Sequence, residues 1–284
     1  MSSLAPGTTL QGTSWNYRIL NPVVGDSTHS STVYTAEVIP HENARHAPQA
    51  PKSALIKASP PGAVTALENM KRERQVYRLP GVTSSACFRK MYDEIDSSTI
   101  ALEWLDTTLA EVKYQSSMRI YSLIVTVMRA ALTSCVVLEG YGCVNMDRPL
   151  VVPSGSLLNA QPYAMRAPEV FLGHACAEPS QVWAVAAVLL CWGKSGSTGR
   201  MLHFDNVEGH SLKAAVDAAS SSSKEVSELQ LISPLCEELR KVDMPQQFRD
   251  LLRLMLVVDS VQRPSASSVL VSAEFKALEE LVSM

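Results

Sequence analysis

The stretch Tyr163-Ala164-Met165-Arg166-Ala167-Pro168-Glu169 decides how this chain is read. It precedes the most apolar run of the sequence, Val182 to Trp192, and stands 94 residues ahead of Arg263-Pro264. Upstream lies Ala54-Leu55-Ile56-Lys57, a short apolar segment ending on a cation, with Glu73 following on a helical pattern. A lysine that closes three apolar residues is, on its own, an edge-strand contact with solvent. The order of these landmarks along one chain gives it further meaning.

The 284 residues, 46% of them hydrophobic, suffice for a full core, as one domain of two lobes or as two small domains. A net charge of -3 supplies no basic field, which argues against a nucleic-acid partner. The six cysteines, at 87, 135, 143, 176, 191 and 236, form no C-x-x-C pair, which argues against structural zinc and a disulfide framework. Met1 to Gln11 has neither the basic nor the apolar region of a secretory signal. Val182 to Trp192 spans 11 residues, too few to cross a bilayer. These features lead us to expect an intracellular protein, cytoplasmic or nuclear, with no membrane association.

Residues 1–14 are small and polar and are expected to be disordered or frayed. Tyr17-Arg18-Ile19-Leu20 and Thr32 to Val38 read as a hairpin, the second by strict alternation. A proline-rich loop, 40–51, leads into a strand at Ala54 to Ala58, which Pro60-Pro61-Gly62 terminates. Ala63 to Arg78 is helical, with Leu67, Met70, Arg74 and Tyr77 assigned to one face. Strands are expected at Cys87 to Tyr92 and Thr99 to Trp104, giving the order β-β-β-α-β-β. Beyond Asp106 the pattern turns helical: an amphipathic Arg119 to Leu138, a buried Val182 to Trp192, then Phe248 to Val258 and Ser265 to Phe275. The run Ser220-Ser221-Ser222-Ser223 reads as a loop.

Taken together, these residues resemble a eukaryotic protein kinase domain, most closely the divergent kinase-like proteins of filamentous fungi. The resemblance implies an α+β, two-lobe fold with a β-rich N-lobe at 15–105 and a shortened helical C-lobe at 106–284. It places Lys57 on the α/β-phosphates of ATP with Glu73 as its partner. Val33 becomes the residue after the phosphate-covering loop. Leu102 backs the adenine pocket, and the backbone of Glu103 and Leu105 faces the base. Glu169 pairs with Arg263 in a buried bidentate ion pair.

The departures from the family are as informative. The three glycine positions of the phosphate loop fall on Asp26, Thr28 and Ser31, leaving Gly25 nearby, so nucleotide affinity is expected to be weak. Asp147 is the remnant counterpart of the catalytic base, without its usual neighbours. Leu150 to Gly155 contains no carboxylate for magnesium, so no metal site is expected. Only twenty residues separate Asp147 from Ala167, as if a block had been deleted at Asp147-Arg148-Pro149-Leu150. Gln181 stands where the family has an Asp that anchors the catalytic loop. His174, His203 and His210 are read as surface or capping residues, and Asp259 as a turn former. The implied function is that of a degenerate kinase or pseudokinase, acting through an unidentified protein partner and binding ATP weakly. An active Ser/Thr kinase and a truncated product of a longer kinase gene are the alternatives.

Overall fold

The computed structural model describes residues 4–23, 31–41, 50–109, 111–141, 167–171, 176–198, 240 and 242–283. The chain divides into two compact units, Met1–Thr107 and Thr108–Met284. The architecture is α+β, with an antiparallel sheet in the first unit and packed helices in the second.

In the first unit, strands β1 (Thr9–Gln11), β2 (Asn16–Pro22), β3 (Thr32–Ile39), β4 (Ser53–Ala58), β5 (Met91–Asp96) and β6 (Thr99–Glu103) form one sheet in the order β1-β2-β3-β4-β6-β5. Alternation divides their side chains between two faces. Tyr17, Ile19, Tyr34, Ala36, Val38, Ala54, Ile56 and Ala101 share the inner face and form a core of their own. The opposite face carries Leu55, Ile100 and Leu102, which pack with Met70 of helix α1 (Val64–Tyr77). Each such side chain removed from water contributes about 1.5–3 kcal/mol.

A carboxylate curls the sheet. Asp93 on β5 is buried, and it accepts backbone N–H groups from Thr13 at 3.1 Å, Ser14 at 3.0 Å and Trp15 at 3.4 Å. The Tyr17 hydroxyl donates at 2.5 Å to Oδ2, the oxygen that also accepts Trp15 N–H, while Thr13 N–H goes to Oδ1. These bonds draw the β1–β2 connection onto the strand at the far end of the sheet order. Gly12 allows the approach, because a Cβ there would lie 2.6 Å from Asp93 Oδ2. Burial, followed by the hydrogen bond and charge of Asp93, pushes the Tyr17 hydroxyl far above its ordinary pKa, so it stays a donor. Residues 4–14, expected to be frayed, are therefore organised: Thr9–Gln11 pairs with β2, and Leu4 N–H donates to the Tyr34 hydroxyl at 3.2 Å.

Two other expectations need correction in this unit. The buried stripe of α1 runs through Ala66 and Met70, while Leu67 is 43% exposed. The Ser59 hydroxyl donates to the Ala66 carbonyl at 3.1 Å, which brings the first turn close to the end of β4 and favours a small inward residue. The strand expected at Cys87 to Tyr92 lies instead at Met91–Asp96. A short helix α2 (Pro80–Ser84) precedes it, and the Ser85 hydroxyl contacts Cys87 Sγ at 2.9 Å in the intervening turn.

The second unit is built on helix α3 (Met118–Gly140), with α4 (Pro168–Phe171), α5 (Glu178–Thr198), α6 (Gln246–Met255), α7 (Ala266–Leu270) and α8 (Ala273–Ser283). By length and composition α3 is apolar enough to span a membrane, a property the sequence reading passed over. Ile120, Ile124, Met128, Leu132 and Cys135 are buried along it, and it packs against α5, α7 and α8 as a core helix. Val182 to Trp192, expected to be buried all round, is buried along most of its length, but Ala184 and Val185 are only half-buried and Val188 is exposed. Trp192 Nε1 donates to the Val112 carbonyl at 2.6 Å, and its ring meets Tyr114 edge-on at 5.4 Å. The segment expected as one helix at Ser265 to Phe275 forms two. Ser265 caps α7 by accepting Ser268 N–H at 3.2 Å, and Ser272 accepts Phe275 N–H at 3.1 Å at the start of α8.

Candidate functional site

Three strands bring the candidate residues of the first unit into rows. Val33 on β3 lies opposite Lys57 on β4, which lies opposite Ile100 on β6. The next row on the same face, two residues along each strand, is Thr35, Leu55 and Leu102. Residues directly opposite across antiparallel strands share a face. Val33, Lys57 and Leu102 therefore stand on the face that carries α1.

Lys57 Nζ donates to Glu73 Oε2 at 2.6 Å, with the two side chains 29% and 26% exposed. The sheet fixes one end of this bond and the helix fixes the other, so the ammonium is held at a defined place. A hydrogen bond between charged groups contributes about 1.5–3 kcal/mol, and partial exposure puts this one toward or below the lower end. The ammonium has three donors, and Glu73 takes one. The remaining two suit anionic oxygens such as those of a phosphate.

The hinge candidates have different surroundings. Leu102 is buried beside Met70 and Ile100. Glu103 N–H is engaged by the Lys90 carbonyl at 2.8 Å, and the Glu103 carboxylate accepts Lys90 N–H at 3.2 Å. Leu105 is exposed.

In the second unit Arg263 meets Glu169 through two bonds, Nη1 to Oε1 at 2.7 Å and Nη2 to Oε2 at 3.0 Å. The remaining donors go to the carbonyls of Val257 at 2.7 Å, Pro179 at 2.9 Å and Val258 at 3.1 Å. All five guanidinium N–H groups are thus satisfied, and the Arg263 side chain has no exposed surface. The Trp183 ring lies 5.1 Å from its Cζ. The Ser180 hydroxyl donates to Glu169 Oε1 at 2.7 Å. Burial pushes the Glu169 carboxyl up, but the hydrogen bond and charge of Arg263, aided by Ser180, outweigh it and hold the carboxyl below its ordinary range.

Gln181 Nε2 donates to Cys176 Sγ at 3.0 Å, and burial raises the Cys176 thiol. Asp259 makes turn hydrogen bonds: its Oδ1 accepts Val261 N–H at 2.8 Å, and its carbonyl accepts Arg263 N–H at 3.0 Å. Asp147, Gly25, Asp26, Thr28, Ser220 to Ser223, His174, His203 and His210 lie outside the described residues, as does the Asp147 to Leu150 junction. Among the described residues, no group of three His, Cys, Asp or Glu side chains is placed to hold a metal ion.

The sequence reading missed the Asp93 clasp. Its trace in the sequence is Gly12-Thr13-Ser14, three small residues directly before Trp15 that let the backbone approach a carboxylate. No protein-family model matches the chain, and no curated protein matches it.

Proposed function

We propose that this chain is a degenerate protein-kinase-like domain that acts by binding inside the cell rather than by phosphotransfer. The observation that carries the reading is the Lys57–Glu73 ion pair at 2.6 Å, strand to helix, with Val33 across from the lysine. A nucleotide-binding lobe uses such a pair to present an ammonium to phosphate oxygens. The bidentate Glu169–Arg263 pair supports the same reading from the second unit.

The chemistry beyond binding is what the sequence lacks. Leu150 to Gly155 offers no carboxylate for magnesium, and Asp147 has lost its usual neighbours. Losing a positioned acid or base costs about 10²–10⁴-fold, and losing the metal-holding groups removes electrostatic stabilisation of the same transition state. Lys57 would hold ATP weakly through its phosphates, without magnesium, and the working partner is a protein.

An active Ser/Thr kinase is the rival reading, favoured by the intact ion pair together with Asp147. Radiolabel transfer from ATP to generic protein substrates separates the two. Transfer equal to that of a Lys57→Ala variant is the expected result. Transfer well above background that the substitution abolishes contradicts the binding-only reading.

A further inference from the structure

The first unit contains a cavity of about 620 Å³, away from the Val33–Lys57–Ile100 row. Its walls come from the start of β2, the end of α1, the α2 turn and the adjoining ends of β5 and β6. The volume falls in the range of sites that enclose a small ligand.

Two kinds of side chain line it. Trp15, Tyr77, Phe88 and Tyr92 supply aromatic surface, with Trp15 held edge-on to Tyr92 at 5.5 Å. Arg78, Arg89 and Lys90 supply positive charge against one carboxylate of the wall, Glu103. Arg78 is already committed to Glu94, its Nε donating to Oε1 at 2.7 Å. Neither Arg89 nor Lys90 makes a side-chain ion pair among the described residues. Arg89 lies close enough to Tyr77 for its charge to favour the phenolate, against burial and Glu73, which together raise the Tyr77 pKa.

Among the described residues, one buried side-chain polar atom of this wall has no partner. Trp15 Nε1 is buried and donates to no acceptor among the described residues. A buried N–H without an acceptor is costly, and native structures seldom keep one without a reason. An oxygen from a bound molecule would relieve it. Aromatic walls, two uncommitted cations and an unsatisfied donor together select a ligand that joins a flat ring to anionic oxygens.

We propose that this cavity binds a small aromatic anion, an aryl phosphate or aryl carboxylate, through ring contact with its aromatic wall and charge contact with Arg89 and Lys90. The site belongs to the first unit alone and does not depend on the nucleotide reading of Lys57.

The test uses the full chain labelled with ¹⁵N at its four tryptophans, with the Trp15 indole resonance identified by Trp15→Phe. Phenyl phosphate is the probe, with phenol, inorganic phosphate and a phosphotyrosine pentapeptide as separate arms. The expected result is a saturable shift of the Trp15 indole N–H with phenyl phosphate. An Arg89→Gln/Lys90→Gln variant that melts like the wild type should bind about fivefold or more weakly, as expected when hydrogen-bonded charge contacts are removed. Phenol and inorganic phosphate should each give no saturable shift. Absence of a shift, indifference to the double substitution, or the same response to inorganic phosphate overturns the proposal. Tighter binding of the phosphopeptide than of phenyl phosphate overturns it in favour of a protein ligand.

Discussion

Asp93 shows how one residue can organise a sheet. Its carboxylate gathers backbone N–H groups from Thr13, Ser14 and Trp15 and the hydroxyl of Tyr17, so its loss strands the buried hydroxyl and removes the acceptor of three part-buried N–H groups. Asp93→Ala is expected to cost about 2–4 kcal/mol, since one unsatisfied buried group costs about 1–3 kcal/mol and the lost part-buried bonds to a charged acceptor add to it. Chemical denaturation measures this, and a loss under 1 kcal/mol would contradict the clasp. Glu169 makes a pH-dependent contribution in the second unit. Its folded pKa is depressed, so its stabilisation is complete above the ordinary carboxylate value and is lost as pH falls through the folded one. Glu169→Gln should cost about 3–5 kcal/mol at neutral pH, because it leaves the Arg263 charge buried without its partner. Melting curves taken from neutral to acid pH should show the gap between wild type and variant narrowing below the ordinary carboxylate range. A gap independent of pH would count against the ion pair.

At the scale of elements, sequence pattern located the strands and helices that alternate cleanly and failed where a single contact governs. The strand ending on Lys57 and the helix bearing Glu73 were legible as local patterns, but their pairing was expected only from the resemblance, since the lysine alone reads as an edge-strand contact. The face of α1 was misread because Leu67 and Ala66 sit 100° apart, and the Ser59 bond to Ala66 that decides between them joins residues in different elements. Strand β5 was misplaced for a similar reason. The expected strand ends at Tyr92, one residue short of Asp93, and nothing local announces that distant N–H groups donate to the Asp93 carboxylate. Nor could the sequence show that Trp15, Arg89 and Lys90 share a cavity, since the curl of the sheet brings them together. The revised α1 face makes a contrast: Met70→Ala should cost about 2–5 kcal/mol, whereas Leu67→Gln should stay within about 0.5 kcal/mol. Equal losses at the two positions would contradict the assigned face.

At the scale of the whole molecule, each unit contains one tight ion pair at the positions the proposed reading uses, Lys57–Glu73 in the first and Glu169–Arg263 in the second. Such pairs stabilise their units whether or not a phosphoryl group is transferred, so on the proposed reading they need no catalysis to be retained. The carboxylates that would grip magnesium have no such second role, and the sequence from Leu150 to Gly155 contains none. The central claim, an ammonium poised for phosphate without a metal beside it, is tested most directly by isothermal titration of the full chain with ATP in the presence and absence of magnesium. The account predicts weak binding, unchanged by magnesium and lost in Lys57→Ala. Binding that strengthens tenfold or more with magnesium, about 1.4 kcal/mol, or that survives the substitution, would contradict it.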